Sequence, residues 1–548
     1  MEEERALAVT GAQACAPSIF EHRESVLNAG VLFGVPALLA QGLGKAFKVY
    51  SPLPPGFYGL HHIIIMLCFM ALCRIKNPEQ LKKHPPGELG KLLGLDRVPE
   101  VGHFREKLRQ ITVQSKTDDL HNELFRSWTE EMPELFFYVD GHVRVYHGKK
   151  ANLPKRFVSR EKLCLSGTTE FWVNDKNGLP LMVATGELNE KLKSAIEGTI
   201  PKIKKETAHT AQPGLPIFTL VFDREAYEPA WFKKLWDEHR IAVVTYRKNV
   251  KDKWGEKQFK DNTVHVFNTN VTMQLCEMGT QISGLWFREV RKLSENGHQT
   301  AIMTTHPGLP LQEIAGKMFT RWAQENFFKY MSENFDFDRM VEYGTDPVSG
   351  TLTLPNPTYK QLSYRVKKAR EKKSRLEARV FKKLEDREGA TIEKAMEDIA
   401  ESSDLIEQIN AYEAQIGEFL KKRENVPSRI SIADMPEDKR YNKLRQESKK
   451  MKNAILMLAY RAETALHNIF SQYYKANEKE GRMILKEIFT SDADMKPDYK
   501  NKQLVIKLHS LSTPRANNAV KKLCGFLNET QTKFPYTDLT LVYKTVAA

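Results

Sequence analysis

The sequence holds no Cys-x-x-Cys pair, and its six cysteines (Cys15, Cys68, Cys73, Cys164, Cys276 and Cys524) lie scattered over 548 residues. With no paired spacing and no histidine partner, they exclude a zinc knuckle and a disulfide frame, and suit reduced thiols in a cytosolic setting. The chain also lacks an apolar run of the roughly 20 residues that a membrane span requires. Its longest such run, residues 63–73, is flanked by His61, His62 and Arg74. It reads as a buried core helix, and no membrane partner is expected. The opening MEEERALAVTGAQA is acidic and has no apolar core, so no secretory signal is expected either. Negative charge is short as well: 69 Asp and Glu face 83 Lys and Arg, a formal net of +14. That balance suits a polyanionic partner.

What is present is enough for real cores. Apolar residues make up 41% and aromatics 10%, and the length predicts two to four domains. Residues 1–130 read as a helical domain for DNA binding or dimerisation. Within it, a short helix at 88–93, a Gly/Pro break at 94–99 and a helix at 100–111 outline a helix-turn-helix. Arg105, Lys107 and Arg109 on the second helix are candidate DNA contacts.

From residue 131 to 345 the pattern becomes mixed α/β. FFYVD reads as a buried strand stopped by Asp140 and Gly141, and HVRVYHG as a second strand after that corner. TTEFWVN and PLMVATG flank the turn DKNG. PIFTLVFD lifts Asp223 to the end of another apolar strand, and IAVVTYRK is the wholly apolar strand of a covered sheet. Residues 249–308 read as a β-rich insertion, and a helix resumes at about Leu311. Beyond a Pro/Gly linker, 358–476 reads as a long antiparallel helical pair, its first half strongly basic. Residues 477–548 read as a small α/β appendage.

Two strand-end aspartates in one sheet suggest hard-oxygen ligands for Mg²⁺ or Mn²⁺, and two such ions clamp the attacking and leaving oxygens of phosphodiester chemistry. Glu325 is the candidate third acid. Arg321, Glu325 and Lys329 are spaced by four and share a helical face. Trp322 and Phe328 are expected to anchor that helix to the sheet.

Asp140, Asp223 and Glu325, in this order of elements, resemble the DDE triad of RNase H-like transposases. The β-rich insertion resembles that of bacterial insertion-sequence transposases with a Y-x-x-R-x-x-x-E-x-x-x-x-x-x-K signature. Arg321 and Glu325 keep its core, while Met318 and Ser332 stand at the tyrosine and lysine positions. The stretches YVDGHVRVYHGKKANLPKRFVSREKLCLSG, TEFWVND, VFDREAYEPAWFKKLW and AVVTYRKN are similar to a group of bacterial DDE transposases, over roughly residues 27–343. The resemblance implies two-metal nicking at transposon ends and strand transfer into target DNA, by a homodimer on double-stranded DNA in a bacterial-type cytoplasm. It gives metal-ligand roles to Asp140, Asp223 and Glu325, and phosphate contacts to Arg321 and Lys329. Lys149, Lys150, Lys155, Arg156 and Arg160 form a basic loop along a plausible DNA path. The alternatives are an RNase H-like nuclease without strand transfer and a domesticated DNA-binding protein. A glycosidase-type carboxylate pair explains neither the third acid nor the basic helices.

Overall fold

In a computed structural model, all residues are described except 131, 133, 149, 150, 154, 159, 160, 187–189, 208–213, 268, 339–344, 348–352, 386–391, 436–439, 441, 547 and 548. The chain forms two compact units, one discontinuous (1–148, 154–344 and 445–548) and one smaller (149–153 and 345–444).

The long apolar run becomes helix α1 (Leu60–Leu72), buried on nearly every side. A helix apolar all round has no face for water, and here it sits in the core of the larger unit. No single described helix is long and apolar enough to cross a membrane. One bent pair, Ala29–Ala40 with Leu43–Val49, passes on length and composition only when joined across a 67° break.

The larger unit is built on one wide mixed sheet. Five of its strands are β1 (Phe136–Val145), β2 (Leu163–Asn174), β3 (Pro180–Thr185), β4 (Phe218–Phe222) and β5 (Ile241–Tyr246), and the short strand Lys155–Val158 also pairs with β2. The five lie in the order β3-β2-β1-β4-β5. β2 is antiparallel to β1 and β3, whereas β1, β4 and β5 pair in parallel. This is the mixed α/β, RNase H-like arrangement that the resemblance implies. The hairpin turn of DKNG is present. Gly178 there has φ +79°, and a Cβ on it would fall 2.9 Å from the Ala323 carbonyl oxygen. Both the left-handed backbone and this close approach require glycine.

One expectation fails at the first strand. Asp140 and Gly141 do not end it, and HVRVYHG is no separate strand: β1 runs unbroken over ten residues. It pairs with β2 from Tyr138↔Asn174 to Val145↔Gly167. On its other side, pairing with β4 stops at Val139↔Phe222. Asp140 is therefore the first residue of a continuing strand to outlast its parallel neighbour.

The insertion extends the same sheet. β6 (Lys260–Val266), β7 (Thr269–Ile282), β8 (Leu285–Leu293) and β9 (Gln299–Thr304) form an antiparallel meander. β9 joins it to β5 through Ile302↔Tyr246 to Thr304↔Val244. Then come α2 (Leu311–Thr320) and α3 (Trp322–Phe335), broken at Arg321.

The long helical pair differs from expectation. In the smaller unit α4 (Pro357–Glu385) packs along α5 (Ile392–Glu424). The next helix, α6 (Glu447–Tyr473), belongs to the larger unit and packs on α1. Its composition explains the difference: residues 454–459 are all buried and apolar, which a solvated hairpin would not tolerate. The terminal segment is a small α/β region tied to the start of the chain. Arg23–Val26 pairs with Ala493–Asp498, joining the N-terminal segment to a four-stranded sheet completed by Gln503–Leu508 and Thr540–Thr545.

Candidate active site

Val139 pairs with Phe222, and Phe222 with Thr245. One residue further along each strand stand Asp140, Asp223 and Tyr246, in a row across three neighbouring strands. The Asp140 carboxylate accepts the Gly141 N–H at 2.8 Å, and Asp223 accepts the Arg224 N–H at 2.6 Å. Arg321 closes the group from the helix side. Its guanidinium lies 3.4 Å from Asp140 and 2.9 Å from Glu325. The i,i+4 spacing read from the sequence thus holds across the break at Arg321.

The Asp140 carboxyl is pushed up to about 6. Burial is the main cause, and the charges of Asp223 and Glu325 add to it, while Arg321 and the Gly141 N–H work against it. A quarter of the side chain remains open to water, which limits the rise. Burial also raises the Tyr246 phenol, which feels the charges of Arg321, Asp223 and Glu325. Tyr246 was missed as a site residue, although its place after the apolar run IAVVT is the signal that found Asp223.

Gln324 was missed as well. It is buried, and its side-chain N–H groups face the Tyr138 carbonyl at 3.2 Å, the Trp172 carbonyl at 2.9 Å and the Asn174 side-chain oxygen at 2.9 Å. These groups sit on β1 and β2, so Gln324 pins α3 to the sheet one residue before Glu325. Phe327 and Met331 bury the same face. Trp322, expected as an anchor, is 56% exposed instead. Phe328 stacks on His142 with centroids 4.9 Å apart. In the second half of α3, Tyr330 donates to Glu463 of α6, which also holds Arg74 at 2.5 Å and Arg482 at 3.3 Å.

The outer candidates fare unevenly. Lys329 is exposed on α3. Lys155 is exposed in the short strand Lys155–Val158, which also carries Arg156. Lys149, Lys150 and Arg160 lie outside the described residues. The helix-turn-helix outline materialises as Pro86–Lys91 and Val101–Thr112. Its basic face loses one member: Lys107 is only 5% exposed, on the buried side with Phe104 and Ile111, while Arg105 and Arg109 stay exposed. Arg105 pairs with Glu79, and Arg109 with Glu106 at 2.7 Å. A helix that must bury one face against a core loses that face for DNA.

Among the described residues, no group of three or more His, Cys, Asp or Glu is arranged to hold a metal ion. Arg321 instead supplies the positive charge, bridging Asp140 and Glu325. The donors are nonetheless hard carboxylate oxygens, the kind that Mg²⁺ and Mn²⁺ take.

No curated protein matches the sequence. Among solved structures, the chain is similar to one described as a piggyBac transposase synaptic complex with hairpin DNA, at 10% identity and a TM-score of 0.30, over 78% of this chain and 76% of that one. A likeness of that size decides nothing about residues or partners. The family model described as Transposase protein matches residues 1–547, so the chain belongs to that transposase family.

Proposed function

We propose that the chain is a DNA transposase of the DDE type, cutting DNA at transposon ends and joining the freed strand to target DNA at Asp140, Asp223 and Glu325. The observation that carries this reading is the pairing of Val139 with Phe222, which sets two carboxylates side by side, with Arg321 tying Glu325 to the first. Asp140, Asp223 and Glu325 are the residues that would hold divalent Mg²⁺ or Mn²⁺, once Arg321 gives up its contacts. Such ions, when bound, activate water or a 3′-hydroxyl and stabilise the departing oxygen. Arg321, freed from the acids, and exposed Lys329 steady phosphate oxygens. Gln324 fixes the height of α3 above the strand ends. Two DNA ends must be held together, so the reading includes a dimer on DNA.

The test uses duplex ends taken from the DNA that flanks this reading frame. Asp140→Asn, Asp223→Asn and Glu325→Gln should each lower Mg²⁺-dependent cleavage at least about a hundredfold, with end binding retained. Glu313→Gln and Glu333→Gln should stay active. Near-normal cutting by Glu325→Gln, with either control dead, would overturn the third acid. Cleavage without joining would favour an RNase H-like nuclease.

A further inference from the structure

The smaller unit contains a helical hairpin whose charge is split between its two arms. Helix α4 carries eleven Lys and Arg against three Glu, and α5 carries nine Asp and Glu against four Lys and Arg. Part of this asymmetry is consumed where the arms meet. Lys373 reaches Glu413 at 3.1 Å, Arg365 lies over Phe419 and Lys372 over Tyr412. Leu362, Val366, Ala369 and Leu376 form the buried stripe of α4.

The opposite face of α4 is different. At 100° per residue, Lys360, Lys367, Lys368, Arg375, Arg379 and Lys382 fall on the side away from that stripe, and all six are exposed. One acid, Glu371, stands among them, with Lys368 at 2.8 Å and Lys367 at 3.9 Å. A face kept only for solubility would alternate signs, because like charges one turn apart repel. This face accepts the repulsion from Lys360 to Lys382, about 33 Å of helix, which matches roughly one turn of duplex DNA. Tyr364 and Phe381 are exposed on the same helix at 59% and 64%. Aromatic rings among cations add contact surface for nucleic acid.

We infer that the outward face of α4 is a docking surface for the phosphate backbone of duplex DNA, separate from the acidic site on the sheet. The inference rests on the transposase reading for its partner, and on the hairpin alone for its place. Six cations on one rigid face match the regular charge of a duplex, about one phosphate per 1.7 Å of axis, and need no base-specific groups. The occupant is DNA and not the acidic arm of a second copy. With a formal net charge of +14, the chain is repelled by a second copy and attracted to a polyanion.

The experiment measures binding of the full chain to an end-containing duplex across salt. In the wild type, affinity should fall steeply between about 50 and 200 mM salt. The triple change Lys367→Gln, Arg375→Gln and Lys382→Gln should reduce the slope of log K against log salt by about 2–3, as each lost phosphate contact removes about 0.9. Circular dichroism checks that the helices persist, and Lys→Arg and Arg→Lys exchanges at the same three positions should restore the slope. A control triple on the larger unit, Lys500→Gln, Lys521→Gln and Lys522→Gln, should leave it nearly unchanged. An equal drop in that control would make the effect one of net charge and overturn the inference. So would an unchanged slope in the α4 variant, including the case in which its mass in solution halves, which would assign the face to self-association. A wild type that binds duplex with no salt dependence would remove the DNA partner, and the transposase reading would fail with it. A steep wild type with an unaffected α4 variant removes the hairpin surface alone.

Discussion

Arg321 and Gln324 are three residues apart and do opposite work. Arg321 faces the carboxylates and lowers the cost of holding Asp140 and Glu325 together. Gln324 faces the sheet and satisfies backbone and side-chain acceptors on two strands. Replacing Gln324 with Met keeps the volume but removes the buried donor that those acceptors share. The expected loss is about 1–3 kcal/mol in denaturant unfolding, with cleavage reduced because Glu325 is no longer held at one height. A variant as stable and as active as wild type would show that Phe327 and Met331 suffice. Asp140 carries a cost in stability. Its folded value of about 6 lies above the ordinary 3.8, so between roughly pH 4 and 6 the folded chain keeps a proton that the unfolded chain has released. Stability therefore falls as pH rises through that window. Asp140→Asn never ionises. Without divalent metal it should be more stable than wild type by about 1–2 kcal/mol above pH 6, an advantage that shrinks toward pH 4. Equal thermal midpoints at pH 7.5 would show that the opening to water cancels the burial.

At the scale of elements, α3 is held at both ends by different physics. Gln324 and the apolar Phe327 fix its first turns, and Met331 with the Tyr330–Glu463 contact fixes its second half. Glu463 is fully buried and meets two arginines, Arg74 and Arg482. Removing its charge leaves buried Arg74 without a counter-ion and Arg482 with Glu478 alone, at 2.8 Å. Glu463→Gln should cost about 3–5 kcal/mol in chemical unfolding, far more than Glu333→Gln on the exposed side of the same helix. A loss below about 1 kcal/mol would mean that the two arginines find other acceptors. A second buried group sits under the sheet, where Glu170 meets Arg144 at 2.7 Å and Lys449 at 3.1 Å. Burial alone would raise this carboxyl, yet the two cations outweigh it and hold it down at about 2.

At the scale of the molecule, the larger unit is assembled from three separated stretches of chain. Helix α6 supplies Lys449 to Glu170 and Glu463 to Arg74, and Ala493–Asp498 supplies the strand partner of Arg23–Val26. A chain ending at residue 344 therefore loses core contacts and buried counter-ions together. We expect residues 1–344 expressed alone to be insoluble, and coexpression with residues 445–548 to restore a soluble complex that copurifies. A soluble, cooperatively unfolding 1–344 fragment would mean that the sheet is self-sufficient.

Local pattern carried the strands, the DKNG turn, the buried apolar helix and the spacing of Arg321 and Glu325, because alternation and i,i+4 periodicity are properties of neighbouring residues. The same pattern placed Asp140 and Asp223 after apolar runs. It mistook a continuing β1 for a corner, because a strand's length depends on what pairs with it and Asp-Gly is also a turn signal. Tertiary structure alone decided the rest. It turned Lys107 inward and Trp322 outward, since a helix face is assigned by what packs against it. It chose Gln324 as the anchor, since a buried amide has value only where acceptors from two strands converge. It paired α4 with α5 and sent α6 back to α1, since burial of an apolar face is settled across hundreds of residues and not within the helix that carries it.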